Sequence, residues 1–138
     1  MGNFIDIVTK MTIAAPAERI FEVFVDKDEI GGFWFSSSSE SWSEGKEITL
    51  IYAEYNAEVT INIKELVPNQ YITFTWGDKT VTITFTEQDG ATLVTTTENG
   101  FDSDELEVML GQKEGWVYML SCLKAYIEHG VKIRAVLQ

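Results

Sequence analysis

The sequence is poor in the residues that most often announce chemistry. It holds one cysteine, Cys122, and one histidine, His129. A single cysteine excludes a disulfide within the chain and fits a reducing compartment. A zinc site would need further cysteine or histidine ligands, and there are none. His129 stands near the expected end of a helix, where the dipole favours a cation, and no Ser/His/Asp or Cys/His arrangement can be built around it. Cys122 lies in an apolar helical pattern and reads as buried and inert. Basic residues are also scarce: 10 Lys and Arg stand against 22 Asp and Glu, a formal charge of −12. Nucleic acid and anionic membrane surfaces are therefore disfavoured partners, because both recruit Lys and Arg. No apolar run approaches the ~18 residues of a membrane-spanning helix. The first residues carry neither the basic region nor the apolar core of a signal peptide, and Asp6 breaks a myristoylation motif at Met1-Gly2. A cytoplasmic protein is expected. Gly31-Gly32 lacks the Lys-Ser/Thr pair of a phosphate loop, and Asp102, Asp104, Glu105 and Glu107 lack calcium-loop spacing. No cofactor and no metal are expected.

What the chain does have is 138 residues, 45% of them hydrophobic and 12% aromatic. That fits one domain over residues 1–138 with its own core. Strict alternation runs through Ile48-Leu50-Tyr52, Val59-Ile61-Ile63, Ile72-Phe74-Trp76 and Val81-Ile83-Phe85, with threonines filling the opposite positions in the later runs. This predicts an antiparallel sheet with one apolar and one solvated face. Turns are expected at Pro68-Asn69, Gly77-Asp78 and Asp89-Gly90, and a last strand over 93–97. An earlier strand is expected over 4–13, with Ile5, Ile7, Met11 and Ile13 inward. Pro16 then suits the first turn of a short helix that buries Ile20, Phe21 and Phe24. Asp26 and Glu29 have capping-box spacing for a second short helix, which Gly31-Gly32 weakens. Ser36 to Ser39 reads as a polar loop.

The most informative stretch is the last third. Asp102-Ser103 offers a cap, and a helix is expected to run to His129 and stop at Gly130. Gly111 and Gly115 are expected to interrupt its first half. Met109, Gln112, Trp116, Met119, Leu120, Leu123 and Ile127 share one face. A lone helix with such a stripe needs a sheet to lie on.

Four segments carry a family resemblance. They are Ala14-Ala15-Pro16-Ala17-Glu18-Arg19-Ile20-Phe21; Phe33-Trp34; Ile63 to Pro68 followed by Ile72 to Trp76; and Glu98-Asn99-Gly100-Phe101 with Gly115-Trp116 and the Leu120/Leu123 pair. In this order they resemble the helix-grip fold of the START/birch-pollen-allergen superfamily. Within it, they resemble the family named for the activator of heat-shock protein 90 ATPase. The resemblance implies an α+β fold: a seven-stranded antiparallel sheet curved around a long C-terminal helix, with two short helices between strands 1 and 2. It also implies an apolar cavity between sheet and helix, since relatives bind lipids, sterols and polyketides.

The residues expected to line such a cavity are Trp34, Phe35, Tyr52, Phe74, Trp76, Trp116, Met119, Leu120 and Leu123. Gln112, Thr95 and Thr97 are the polar groups expected to orient a ligand. Glu54 shares parity with Tyr52, and entry into the cavity would raise its pKa. Three functions fit. The first is binding of a small hydrophobic molecule. The second is a protein-interaction module like the C-terminal domain of the heat-shock co-chaperone. The third is an enzyme using the same space, although no catalytic constellation is recognisable.

Overall fold

The computed structural model describes residues 4–134. Among them, the period-two segments become seven strands: β1 (Phe4–Ile13), β2 (Ser37–Ser38), β3 (Glu47–Tyr52), β4 (Ala57–Val67), β5 (Tyr71–Trp76), β6 (Lys79–Gln88) and β7 (Ala91–Asp102). They form one antiparallel sheet in the order β1-β7-β6-β5-β4-β3-β2. Leu50, Ile61, Phe74 and Ile83 are buried on its inner face. Threonines stand outside, where Thr73 and Thr82 place their hydroxyls 3.3 Å apart. The β6–β7 hairpin closes through Asp89 and Gly90, both with positive φ (56° and 81°), the conformation that a two-residue hairpin requires. In β1 a register irregularity between Ile5 and Ile7 leaves Ile5 exposed rather than inward.

Two helices complete the fold, α1 (Ala17–Val25) and α2 (Leu106–His129). Pro16 caps α1 instead of standing in its first turn; its carbonyl accepts from the amides of Arg19 and Ile20 at 3.1 and 3.3 Å. The expected second short helix contracts to one 3-10 turn, Ile30–Gly32. Its capping box does not form. Asp26 accepts from the amide of Asp28 at 2.8 Å, whereas Glu29 turns toward Arg19 and Tyr126. Arg19 donates both arms of its guanidinium to Glu29, at 2.5 and 3.1 Å, and the Tyr126 hydroxyl donates to the same carboxylate at 2.6 Å. A bidentate charged pair outcompetes a single neutral cap bond. This knot ties α1, the 3-10 turn and α2 together. Gly32 lies directly beneath the Tyr126 ring, where an added methyl would fall 2.5 Å from Cε1. The serine loop is also more ordered than its composition implies: Ser37-Ser38 pair with Ile51 and Leu50 as an edge strand.

The last strand runs past Thr97 to Asp102, which begins the approach to α2. Asp102 and Glu105 form a reciprocal capping box around the 3-10 turn Ser103–Glu105. Neither Gly111 nor Gly115 interrupts α2, which is continuous to Gly130, a left-handed stop with φ 66°. The helix packs chiefly along β1 and β7. It also guards the free edge of β1. Lys113 and Lys124 each donate an ammonium proton to an edge carbonyl, of Val8 and of Thr12, both at 2.7 Å, and Glu128 accepts from the amide of Ala14 at 2.9 Å. No helix among the described residues is long and apolar enough to cross a membrane.

Two glycine substitutions should move stability in opposite directions. Gly111→Ala meets open space in an exposed helix position and should stabilise by about 1 kcal/mol. Gly32→Ala should destabilise, because Tyr126 is held by Glu29 and cannot withdraw freely; urea denaturation of both variants checks this. The Glu29 knot also sets a pH dependence. The hydrogen bond from Arg19 holds the Glu29 carboxyl below its usual 4.5, against burial, with Tyr126 assisting. A depressed carboxylate contributes stability above its unfolded pKa and loses it as pH falls through the folded value. The denaturation midpoint of the native chain should therefore fall more steeply in acid than that of Glu29→Gln.

Candidate functional site

α2 covers one side of the concave sheet, and the Phe33-Trp34-Phe35 segment fills the other. All three rings are buried. Trp34 is the hub, with ring centroids 5.6 Å from Trp116, 6.2 Å from Trp76 and 6.2 Å from Trp42. Two hollows adjoin at this hub. One, of about 180 Å³, is bounded by Phe33, Trp34, Tyr52, Tyr55, Gly115, Tyr118, Met119, Cys122 and Arg134. The other, of about 170 Å³, is bounded by Trp34, Tyr52, Trp76, Gln112, Gly115 and Trp116. They share Trp34, Tyr52 and Gly115. At Gly115 the helix contributes no side chain, and nothing lies within 4 Å of the place a Cβ would occupy.

The polar group deepest in this region is Glu98, 1% exposed on the inner face of β7. The Trp116 indole N–H donates to its Oε1 at 2.8 Å, and the Gln112 amide donates to both oxygens at 3.1 and 3.2 Å. Gln112 and Trp116 are one helical turn apart, so both reach the same carboxyl. No basic side chain among the described residues pairs with it. The contrast is Trp42, whose buried indole nitrogen has no partner among the described residues.

The outer margin is held by an ion pair. Arg134 donates to Glu54 at 2.6 Å and to the carbonyl of Gly31 at 2.8 Å, while the Ser36 hydroxyl also donates to Glu54. The Arg134 hydrogen bond lowers the Glu54 pKa. The expected rise is thus reversed: Glu54 stands on a 3-10 turn, Ala53–Tyr55, and meets a guanidinium instead of an apolar wall. Burial pushes the Tyr52 phenol up to about 12, and burial also raises the Cys122 thiol. Glu22, Asp26 and Glu29 bring carboxylate oxygens within 4.8 Å of one another. The cation already there is Arg19, 2.5 Å from Glu29 and 3.8 Å from Glu22.

Of the residues expected to line a cavity, Trp34, Tyr52, Trp76, Gln112, Trp116 and Met119 border the hollows. Phe35, Phe74, Leu120 and Leu123 lie behind them in the core. Thr95 and Thr97 stand on the opposite face of β7. The inward positions of that strand are Thr92, Val94, Thr96 and Glu98. Val94 fixes the phase, and strand parity sends its odd-numbered neighbours outward. The same parity pointed to Glu98, four residues beyond Val94. Tyr118 and Cys122, the latter expected to be buried and inert, both border the first hollow.

The family described as activator of Hsp90 ATPase homolog 1-like protein matches residues 14–128. The crystal structure of protein SSP2350 from Staphylococcus saprophyticus is 60% identical and superposes with a TM-score of 0.90 over 94% of this chain and 96% of that one. Fold similarity extends to the Aha1 dimer from Colwellia psychrerythraea, at 18% identity and a TM-score of 0.83, covering 91% of this chain and 98% of that one. It extends also to DynU16, from the dynemicin biosynthetic locus, at 20% identity and a TM-score of 0.81, covering 92% of this chain and 48% of that one. No curated protein matches the sequence. The seven-stranded sheet with its long closing helix is the helix-grip fold of the START/birch-pollen-allergen superfamily. Within it, the chain belongs to the family of activator of Hsp90 ATPase homolog 1-like proteins.

Proposed function

We propose that this protein binds a small hydrophobic molecule where the two hollows adjoin, between the sheet and α2. The border that the two hollows share, Trp34, Tyr52 and Gly115, carries the reading. A glycine inside a helix costs about 1 kcal/mol relative to alanine. Gly115 is exposed, and among the described residues no atom lies within 4 Å of its missing Cβ. It borders both hollows, and the absent side chain leaves that shared border open to solvent. Their borders are mostly aromatic with few polar groups, the usual make-up of a ligand site. Each hollow is smaller than the ~300 Å³ at which drug-sized pockets begin, so the ligand is small or spans both. Catalysis is less supported. Tyr52 and Cys122 both have raised pKa values and so stay protonated and weakly nucleophilic near neutrality.

One observation favours a second reading, contact with another copy of this chain. Leu106 and Leu110 at the start of α2 are each about 60% exposed and lie beside the exposed Val8. A related fold, the Colwellia Aha1, is described as a dimer. Sedimentation of the native chain and of Leu110→Glu separates the cases: a dimer that the substitution dissolves supports contact through this ridge.

The binding reading has its own test. Gly115→Leu should obstruct the border that the two hollows share while leaving the fold at least as stable. A responsive apolar ligand at about 100 times its Kd should stabilise the native chain by about 2.7 kcal/mol. The variant should lose that gain in a thermal-shift screen; undiminished stabilisation would place the ligand elsewhere.

A further inference from the structure

We infer that the second hollow, bounded by Trp34, Tyr52, Trp76, Gln112, Gly115 and Trp116, takes a cationic headgroup of the quaternary ammonium class; this rests on reading the cleft as a ligand site. Three features of different origin converge on it. The first is the buried carboxyl of Glu98. It is 1% exposed, and among the described residues only two neutral donors, Gln112 and Trp116, hold it. A buried carboxyl in its charged form, with no cation in the wall around it, leaves a negative potential in the space that wall encloses. Gln112 and Trp116 are that wall: each turns its donor toward Glu98 and also borders the hollow.

The second feature is aromatic. Three of the chain's four tryptophans border this one space, together with Tyr52. Indole faces are the best aromatic partners for a cation, and quaternary ammonium groups, which have no N–H to satisfy, are recognised in this way. A neutral apolar ligand would be served as well by leucine or isoleucine.

The third feature is charge. Among the described residues no Lys, Arg or His borders this hollow, and the chain as a whole carries −12. That field attracts cations and repels carboxylates and phosphates. Arg134 borders the first hollow, not this one, and it already pairs with Glu54. A hollow of about 170 Å³ suits a compact headgroup better than a long chain, which would continue into the neighbouring hollow past Tyr52.

The experiment titrates the full chain with choline and with the uncharged alcohol in which carbon replaces the ammonium nitrogen, reading tryptophan emission and calorimetric heat. An uncharged naphthol serves as a general apolar probe. Choline should bind about tenfold or more tightly than its isostere, and should still do so in about 0.5 M salt, where loose condensation on an acidic surface is screened. Glu98→Gln keeps the size and an acceptor for Trp116, and should bring the two affinities within about threefold while the isostere's own affinity barely moves. A thermal melt checks that this variant is folded. If it is not, the choline-to-isostere ratio of the native chain decides alone. Equal or tighter binding of the isostere, or binding of naphthol alone, would overturn the cationic inference and leave the apolar site standing. Failure of all three probes to bind would overturn both.

Discussion

One helix cannot cover this sheet. An α-helix with its side chains is about 10–12 Å across, while seven strands at their usual spacing span about 29 Å. Curvature narrows the gap without closing it. α2 therefore settles along β1 and β7, and something else must cover β3 to β5. That task falls to the connection between β1 and β2, which carries α1, the 3-10 turn and Phe33-Trp34-Phe35. The two coverings meet along a seam at Trp34. Side chains from two separate elements rarely interlock along a whole seam, and the two hollows lie along this one. The candidate site is thus a consequence of sheet width, not an addition to the fold.

The seam also explains where the polar knots are. Glu29 binds Arg19 and Tyr126 at one point along it, and Glu54 binds Arg134 and Ser36 at another. Each joins pieces distant in sequence and keeps them in register. Glu98 differs in kind. It lies within the seam, is fully buried, and meets only neutral donors from α2. The first two carboxylates are answered by arginine and hold the structure together. The third colours the potential of the space beside it.

Much of this was legible in sequence because both periodicities are strong. Strand alternation from Ile48 to Phe85 and the Trp116–Leu123 stripe place their elements directly. The failures share a cause: phase near an element's end, and partners distant in sequence. Thr95 and Thr97 share parity with Leu93, whereas Val94 faces the core and sends its odd-numbered neighbours outward. Glu54 drew a raised pKa from parity with Tyr52, but β3 ends at Tyr52 and alternation ends with it. Its real neighbour, Arg134, is 80 residues away. The helical propensity cost of Gly115 suggests a break, but α2 is continuous through it because packing of the Trp116–Leu123 face outweighs that cost.

The lysines that reach from α2 to the edge of β1 have a consequence beyond the native state. β1 is a ten-residue strand at the border of the sheet, and β2 at the other border has two residues. A long bare edge invites another molecule to add a strand, whereas a two-residue edge offers little template. Lys113 and Lys124 occupy carbonyls that such an intruder would need. They sit on the helix that also closes the core, so the guard and the closure leave together. Any excursion that lifts α2 would expose apolar surface and an adhesive strand edge in the same event. Aggregation resistance in this protein is therefore tied to the lifetime of one helix in its seat.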